Sequence, residues 1–461
     1  MISPVLAQKV LEAALSKGGD FSEIFIEEKY KTNFEMIGGK LEQAVTGRDF
    51  GLGLRILSGT NAIYVHTNQL DEESLIAFAR QASSAVGQLG QSINVHLQAQ
   101  PLKTHRFEIF PEQVEKQKKV ALMRRIHQAA SKHDPLITQV IARYLDEDQH
   151  VFIANSEGLM VEDRRVRTRL VASCVATYEG QMQTGSADMA GLVGFELYEG
   201  ADIEALGVKA AEMAKRMAMA EDCVSGRFPV IIDNAFGGVI FHEACGHGLE
   251  AEFVSKKASV FCEKLGQSIA SPILTAIDDG TIANGWGSGM VDDEGHPTQR
   301  NILIENGILK SYLVDRHNGK RMNTAANGSS RRQSYQFAPT SRMSNTFIAP
   351  GKSTLEELIT SVEFGLYTKT MGGGSVNTAT GDFNFSAREA YLIRNGKIAE
   401  AVKGATLIGT GLEVLQKIDM IANNLDYGIG MCGASSGSIP TIVGQPAVRV
   451  SEMTVGGKRE A

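Results

Sequence analysis

Cysteine is scarce, at five residues in 461, and the count is odd. Thiols scattered so thinly make no disulfide framework, so a reducing, cytoplasmic setting is expected. Long apolar runs are missing as well. No stretch approaches the ~20 residues a membrane-spanning helix needs. Residues 1–17 place Val5, Val10, Leu11, Ala14 and Leu15 around Lys9 and Glu12, the pattern of an amphipathic helix and not of a secretory leader. There is no excess of basic charge: 46 Lys and Arg stand against 53 Asp and Glu, a formal net charge of −7. That balance points to no nucleic-acid partner. No repeat with a period of 20–50 residues is present, which excludes solenoids and propellers.

What remains is an ordinary globular composition, 43% hydrophobic and 21% charged, over a length that calls for two or more domains. The patterning predicts an α+β fold. Residues 1–225 read as an N-terminal α/β domain of small sheets with flanking helices. Residues 226–461 read as a β-rich C-terminal domain carrying a metal-site helix, with the break at the polar segment 221–227. In the first part, Ile24-Phe25-Ile26 is apolar on both faces, as in an inner strand. Residues 41–45 and 52–56 read as two strands, as do 137–144 and 151–155. Asp71-Glu72-Glu73 opens a helix, acidic residues suiting its positive end. Pro111 is placed to start a long helix to about residue 133. Arg165, Arg167 and Arg169 line one face of a strand and read as a solvated basic stripe, the alternative being an acidic partner. In the second part, Asn306-Gly307 and Asn395-Gly396 predict two-residue hairpins. A helix is expected at 411–423, a loop at Met371-Gly-Gly-Gly-Ser, and a flexible glycine-rich tail after Leu425.

One segment carries chemistry: Phe241-His242-Glu243-Ala244-Cys245-Gly246-His247-Gly248-Leu249-Glu250. Two imidazoles and a carboxylate within six residues suit a metal site with an adjacent base. The spacing is unusual. Residues five apart lie about 140° apart on a regular α-helix and face different sides. Either the helix widens into a π turn, or it ends near Gly246 and His247 comes from the exit. A distortion at 244–248 is therefore expected. The competing reading is a buried histidine pair satisfied by backbone carbonyls. A third ligand could come from Cys245, Glu250, Cys262, His296 or Cys432. His296 sits in a turn-like Asp-Asp-Glu-Gly-His-Pro, and Cys432 in a glycine-rich stretch that leaves its thiol unshielded.

The segment 241–250, Asp-Asp-Glu-Gly-His-Pro-Thr-Gln at 292–299, Ser-Arg-Arg-Gln at 330–333, Arg-Met-Ser-Asn-Thr at 342–346 and the Cys-Gly…Gly-Gln-Pro ending at 432–446 resemble the TldD/PmbA metallopeptidases nearly end to end. The TldD-type, catalytic branch matches, since PmbA-type (TldE) subunits lack the intact His-Glu-x-x-x-His. The resemblance implies a zinc ion (Zn2+) held by His242, His247 and Cys432, with Glu243 as general base. It also implies cleavage of short or unfolded peptides inside a dimer, the partner being a second copy or a PmbA-type subunit. An older family name, modulator of gyrase, records an indirect effect and implies no DNA binding.

Two other signals fail on context. Gly428-x-Gly430-x-x-Gly433 matches a dinucleotide fingerprint but opens no helix, and Gly351-Lys352-Ser353 lacks the first glycine of a phosphate loop. Tyr312, Arg316, His317 and Arg388 are conceivable oxyanion donors, with structural roles the plainer reading. Two alternatives stand beside a zinc metallopeptidase: a zinc amidohydrolase acting on small non-peptide amides, and a non-catalytic regulatory subunit. The intact Glu243 speaks against the second, because a structural metal site needs no carboxylate beside its ligand.

Overall fold

The computed structural model describes residues 1–86, 94–102, 105–377 and 379–458. The architecture is α+β. Three long antiparallel strands dominate the first part: β1 (Phe21–Ile37), β2 (Lys40–Ser58) and, after β3 (Asn61–Thr67), β4 (Ile137–Asn155). They continue into β5 (Leu159–Tyr178) and β6 (Gln181–Gly191), in the spatial order β3-β2-β1-β4-β5, with β6 on the far side of β5. The inner-strand reading of Ile24–Ile26 holds, since β1 pairs with β2 and with β4 along its length. The paired segments 41–45/52–56 and 137–144/151–155 are not separate strands. Each pair is one continuous strand, because polar residues between the apolar runs keep their place in the ladder.

Side chains on a strand alternate between faces, and the two faces of this sheet have different partners. Ile24, Ile26, Phe34 and Met36 lie on the face covered by four helices: α1 (Pro4–Leu15), α2 (Glu72–Ser84), α3 (Lys116–His133) and α4 (Ile203–Ala218). Asp71 caps α2 through the Ser74 N–H. Pro111 does not start α3. It opens a short 3-10 turn, and extended Val114 separates that turn from the helix.

The opposite face is polar yet buried, against loops of the C-terminal part. Arg55 bonds Glu23 at 2.7 Å and Glu294 at 2.6 Å. Arg332 bonds Glu23 at 2.7 Å, and Arg165 bonds Asp293 at 2.6 Å. This corrects the arginine stripe. Arg165 and Arg167 are buried, not solvated, and Arg169 is paired with Asp188. Alternation alone could not distinguish water from a second layer above the sheet. At Gly51 a side chain would meet the Tyr335 ring at 2.2 Å, so the alternating glycines of β2 mark where that layer rests.

In the C-terminal part, β7 (Gly226–Ile232) joins a mixed sheet in which strands Phe364–Val376, β7, Val448–Gly456, Thr406–Thr410 and Asp382–Arg394 close on one another as a barrel. Met371–Ser375 lies within the first of these strands, not in a loop. The register shifts between Met371 and Gly374, so Gly372 and Gly373 bulge while Gly374 and Ser375 rejoin the ladder. Both hairpins form as expected, with Asn306, Gly307, Asn395 and Gly396 all at positive φ. The helix expected at 411–423 covers only Gly411–Lys417 and gives way to a strand at Ile418–Ile421. A second sheet ends in the hairpin β8 (Asp426–Ala434) and β9 (Gly437–Gln445), with β8 at its edge. Cys432 therefore sits on a strand and not in a flexible tail. Its pairing with Ile439 fixes it.

Candidate metal centre

β7 leaves the barrel and the chain enters a helix that changes pitch three times. A 3-10 turn (Ala235–Gly238) and one α turn (Val239–Phe241) lead into a π turn (His242–Gly246), followed by a 3-10 turn (His247–Leu249). Phe241, Ala244, Cys245 and Leu249 are buried in the C-terminal core and anchor this segment. The His247 N–H reaches the His242 carbonyl, five residues back. That wider turn brings positions five apart into line; it overlaps the stretch 244–248 where a distortion is expected but begins two residues earlier, at His242. The two imidazoles meet edge to face, 5.1 Å between centroids.

The Cys432 thiol closes the triangle. Its Sγ is 3.2 Å from His242 Nε2 and 3.3 Å from His247 Nε2. All three side chains are buried, and their donor atoms lie within 4.8 Å of one another. Burial works to raise the Cys432 thiol, but the two imidazoles outweigh it and hold it at about 3, a thiolate at neutral pH. Burial also opposes charge on His247. The Glu250 carboxylate overrides it, with Cys432 adding, and the imidazole titrates well above the ordinary histidine value. A thiolate facing two imidazole nitrogens that, among the described residues, hydrogen-bond to nothing else is a donor set that fits a borderline-soft divalent ion. Binding such an ion would displace the His247 proton.

Other groups hold these three in place. Glu250 accepts from His247 Nδ1 at 3.0 Å, which turns Nε2 toward the thiol. Arg342, fully buried, donates to the Cys432 carbonyl at 2.6 Å and to Ser436 Oγ at 2.9 Å, with its Nε 3.8 Å from Glu250. Sequence reasoning gave Arg342 no role. Its only signal was its place in the Arg-Met-Ser-Asn-Thr motif. Glu243 stands beside the cluster, its carboxylate 3.7 Å from His247 Nε2, and is 28% exposed. It alone of the group opens to solvent enough to meet a water molecule.

The remaining candidates lie apart or are otherwise engaged. Cys245 packs in the core, and burial pushes its thiol up beyond the usual range. Cys262 contacts the Val254 carbonyl, and His296 the Pro297 carbonyl. Glu250 supports a ligand and does not join the triangle. The conceivable oxyanion donors are committed elsewhere: Tyr312 to the Phe261 carbonyl, Arg316 to Glu157, His317 to the Thr60 carbonyl and Arg388 to Ser186.

Comparison with known proteins covers most of the chain. Residues 22–86, 110–218 and 225–457 match, in turn, domain 1, the central domain and the C-terminal domain of the PmbA/TldA metallopeptidases. A metalloprotease TldD homolog of Haemophilus influenzae is 36% identical over 449 residues, spanning 95% of this chain and 93% of that protein. A metalloprotease of Methanothermobacter thermautotrophicus is 35% identical over 95% of this chain and 96% of its own length. Among solved structures, a Thermotoga maritima protein described as a modulator of a DNA gyrase shares the fold, with a TM-score of 0.79 and 23% identity over 95% of this chain and 96% of that one. TldE from Thermococcus kodakarensis does so with a TM-score of 0.73 and 18% identity, over 95% and 97% of the two chains.

Proposed function

As the chain belongs to the PmbA/TldD metallopeptidase family and is a hydrolase acting on peptides, we propose that it is a zinc enzyme whose metal is held by His242, His247 and Cys432. The single observation that carries this reading is the convergence of Cys432 Sγ on both imidazole Nε2 atoms at 3.2 and 3.3 Å. When bound, the ion supplies Lewis acidity, polarising a carbonyl and lowering the pKa of water.

The chain's own groups do the rest. The Glu243 carboxylate takes a proton from the attacking water at an oxygen atom and passes it to the leaving amine nitrogen. Glu250 holds the His247 ring so that Nε2 faces the site. Arg342 fixes the hairpin that carries Cys432, which keeps the third donor at its distance. The edge strand β8 offers backbone groups to an extended chain, so the substrates are short or unfolded peptides bound with little regard to sequence. The assembly is a dimer, with a second copy or with a TldE-type subunit of the same fold. A working division falls between residues 225 and 226, which puts all three ligands in the C-terminal part.

The test is metal content together with cleavage. Purified protein should hold about one zinc per chain. Glu243→Gln should keep the metal and abolish cleavage of an unfolded peptide. Cys432→Ala should lose both. Metal-replete protein that cleaves no peptide, alone or with a TldE-type partner, would sink the reading.

A further inference from the structure

A cavity of about 420 Å³ lies between the N-terminal sheet and the C-terminal loops, on the other side of the β8–β9 hairpin from the metal centre. Its floor is the polar face of the sheet, where Lys29, Gln149 and Arg165 form one row across three strands and Lys31, Glu147 and Arg167 the next, with Lys31 at the exposed end. Its roof comprises Trp286, the 331–333 segment and Met431 with Pro440 of the hairpin. Met431 and Cys432 are consecutive on a strand, so one points into the cavity while the other points to the imidazoles.

The charge in this cavity does not balance. Seven cationic side chains line it against three carboxylates. Five of the cations have an acidic partner: Arg165 has Asp163 and Asp293, Arg332 has Glu23, Arg169 has Asp188, Lys29 has Glu147 and Lys31 has Asp49. Among the described residues, the other two hydrogen-bond only to carbonyl oxygens. Arg167 donates to Trp286 and Ser288, and Arg331 donates to Met343 at 2.8 Å. Burial and neighbouring guanidinium charge pull Arg331 down to about 9 and Arg167 to about 10. Arginine keeps its proton at neutral pH, so both are cations; Glu147 faces Arg167 across the strands and Asp293 acts on Arg331, but among the described residues neither guanidinium has a carboxylate at ion-pair distance.

We propose that Arg167 and Arg331 form an anion subsite that takes a carboxylate of the bound peptide, either its C-terminus or an acidic side chain. A guanidinium fork matches a planar carboxylate. The hairpin that carries the third metal ligand forms one wall, so a peptide lying along β8 reaches both sites. The subsite rests on the peptidase reading for the identity of its ligand, and its test is a binding measurement that needs no turnover.

Trp286 is the only tryptophan in the chain. It lines the cavity and donates to the Gly430 carbonyl at 3.0 Å, so its fluorescence reports occupancy. Metal-stripped protein is titrated with a short peptide as free acid and as C-terminal amide, and with an internal Glu/Gln pair of peptides. At least one acid is expected to bind ~10-fold tighter than its neutral match, the scale of one charge-assisted hydrogen bond. The C-terminal and internal arms identify which carboxylate is read. Arg331→Gln should bring the ratio near one, and Arg331→Lys should restore part of it. Should Arg331→Gln fail to fold, competition by inorganic phosphate in the unaltered protein decides, and no displacement of the acid peptide overturns the proposal. Equal binding of acid and neutral peptides also overturns it, even where phosphate binds, and leaves the peptidase reading standing. If instead the zinc-loaded protein cleaves nothing, the peptidase reading falls while the titration still decides the subsite.

Discussion

At the scale of single residues, the metal centre depends on groups that never touch the ion. Glu250 is completely buried and spends its carboxylate on His247 Nδ1. A second-layer carboxylate fixes a ligand's tautomer and ring plane, and its loss costs ~10–100-fold in metal affinity. Glu250→Gln should therefore weaken zinc binding by about that factor in a chelator competition, while the chain stays folded because the amide keeps the volume. Unchanged affinity would remove Glu250 from the site. The residue types at the centre were legible from sequence, because His242, Glu243 and His247 are neighbours in the chain. Arg342 was not, since an arginine 90 to 95 positions from its partners announces nothing locally.

At the scale of elements, the π turn is the unit that makes the site. It lies against the start of the Gly411–Lys417 helix so closely that a Cβ on Gly411 would sit 2.1 Å from the Ala244 carbonyl oxygen. Backbone cannot yield as a flexible side chain does. Gly411→Ala should cost about 2 kcal/mol, the scale of overpacking a tight core, and should lower zinc retention by displacing the turn. Thermal melting and metal analysis of one preparation check both. A variant as stable and as metal-loaded as the parent would show that the turn tolerates displacement. The need for a distorted helix could be read from the five-residue spacing. Its form, π followed by 3-10, was set by the core packing of Phe241, Cys245 and Leu249.

At the scale of the whole molecule, a buried ion network holds the N-terminal sheet to the C-terminal loops. Asp293 is its centre, meeting Arg165 at 2.6 Å and the Arg332 backbone N–H at 2.7 Å. Burial disfavours its charge, but the Arg165 and Arg332 guanidiniums prevail and hold its carboxyl below the ordinary aspartate value. A folded-state pKa below the unfolded one means stability that is present above the unfolded value, near ~3.9, and lost as pH falls through the folded one. Asp293→Asn should cost about 3 kcal/mol at neutral pH, because it leaves buried guanidinium charge less compensated. It should also flatten the dependence of stability on pH in the acid range below ~4. Denaturant melts at several pH values test this, and an unaltered slope would assign the acid sensitivity elsewhere.

By itself the sequence determined the hairpins, the helix capped by Asp71, the inner strand and the imidazole–carboxylate cluster, because each depends on residues a few positions apart. Tertiary structure decided which cysteine completes the triangle, from 185 and 190 positions away, and which face of the N-terminal sheet is covered. Periodicity shows that a strand has two faces. Only the packing of one layer on another decides whether an arginine on that face meets water, a carboxylate or a cavity.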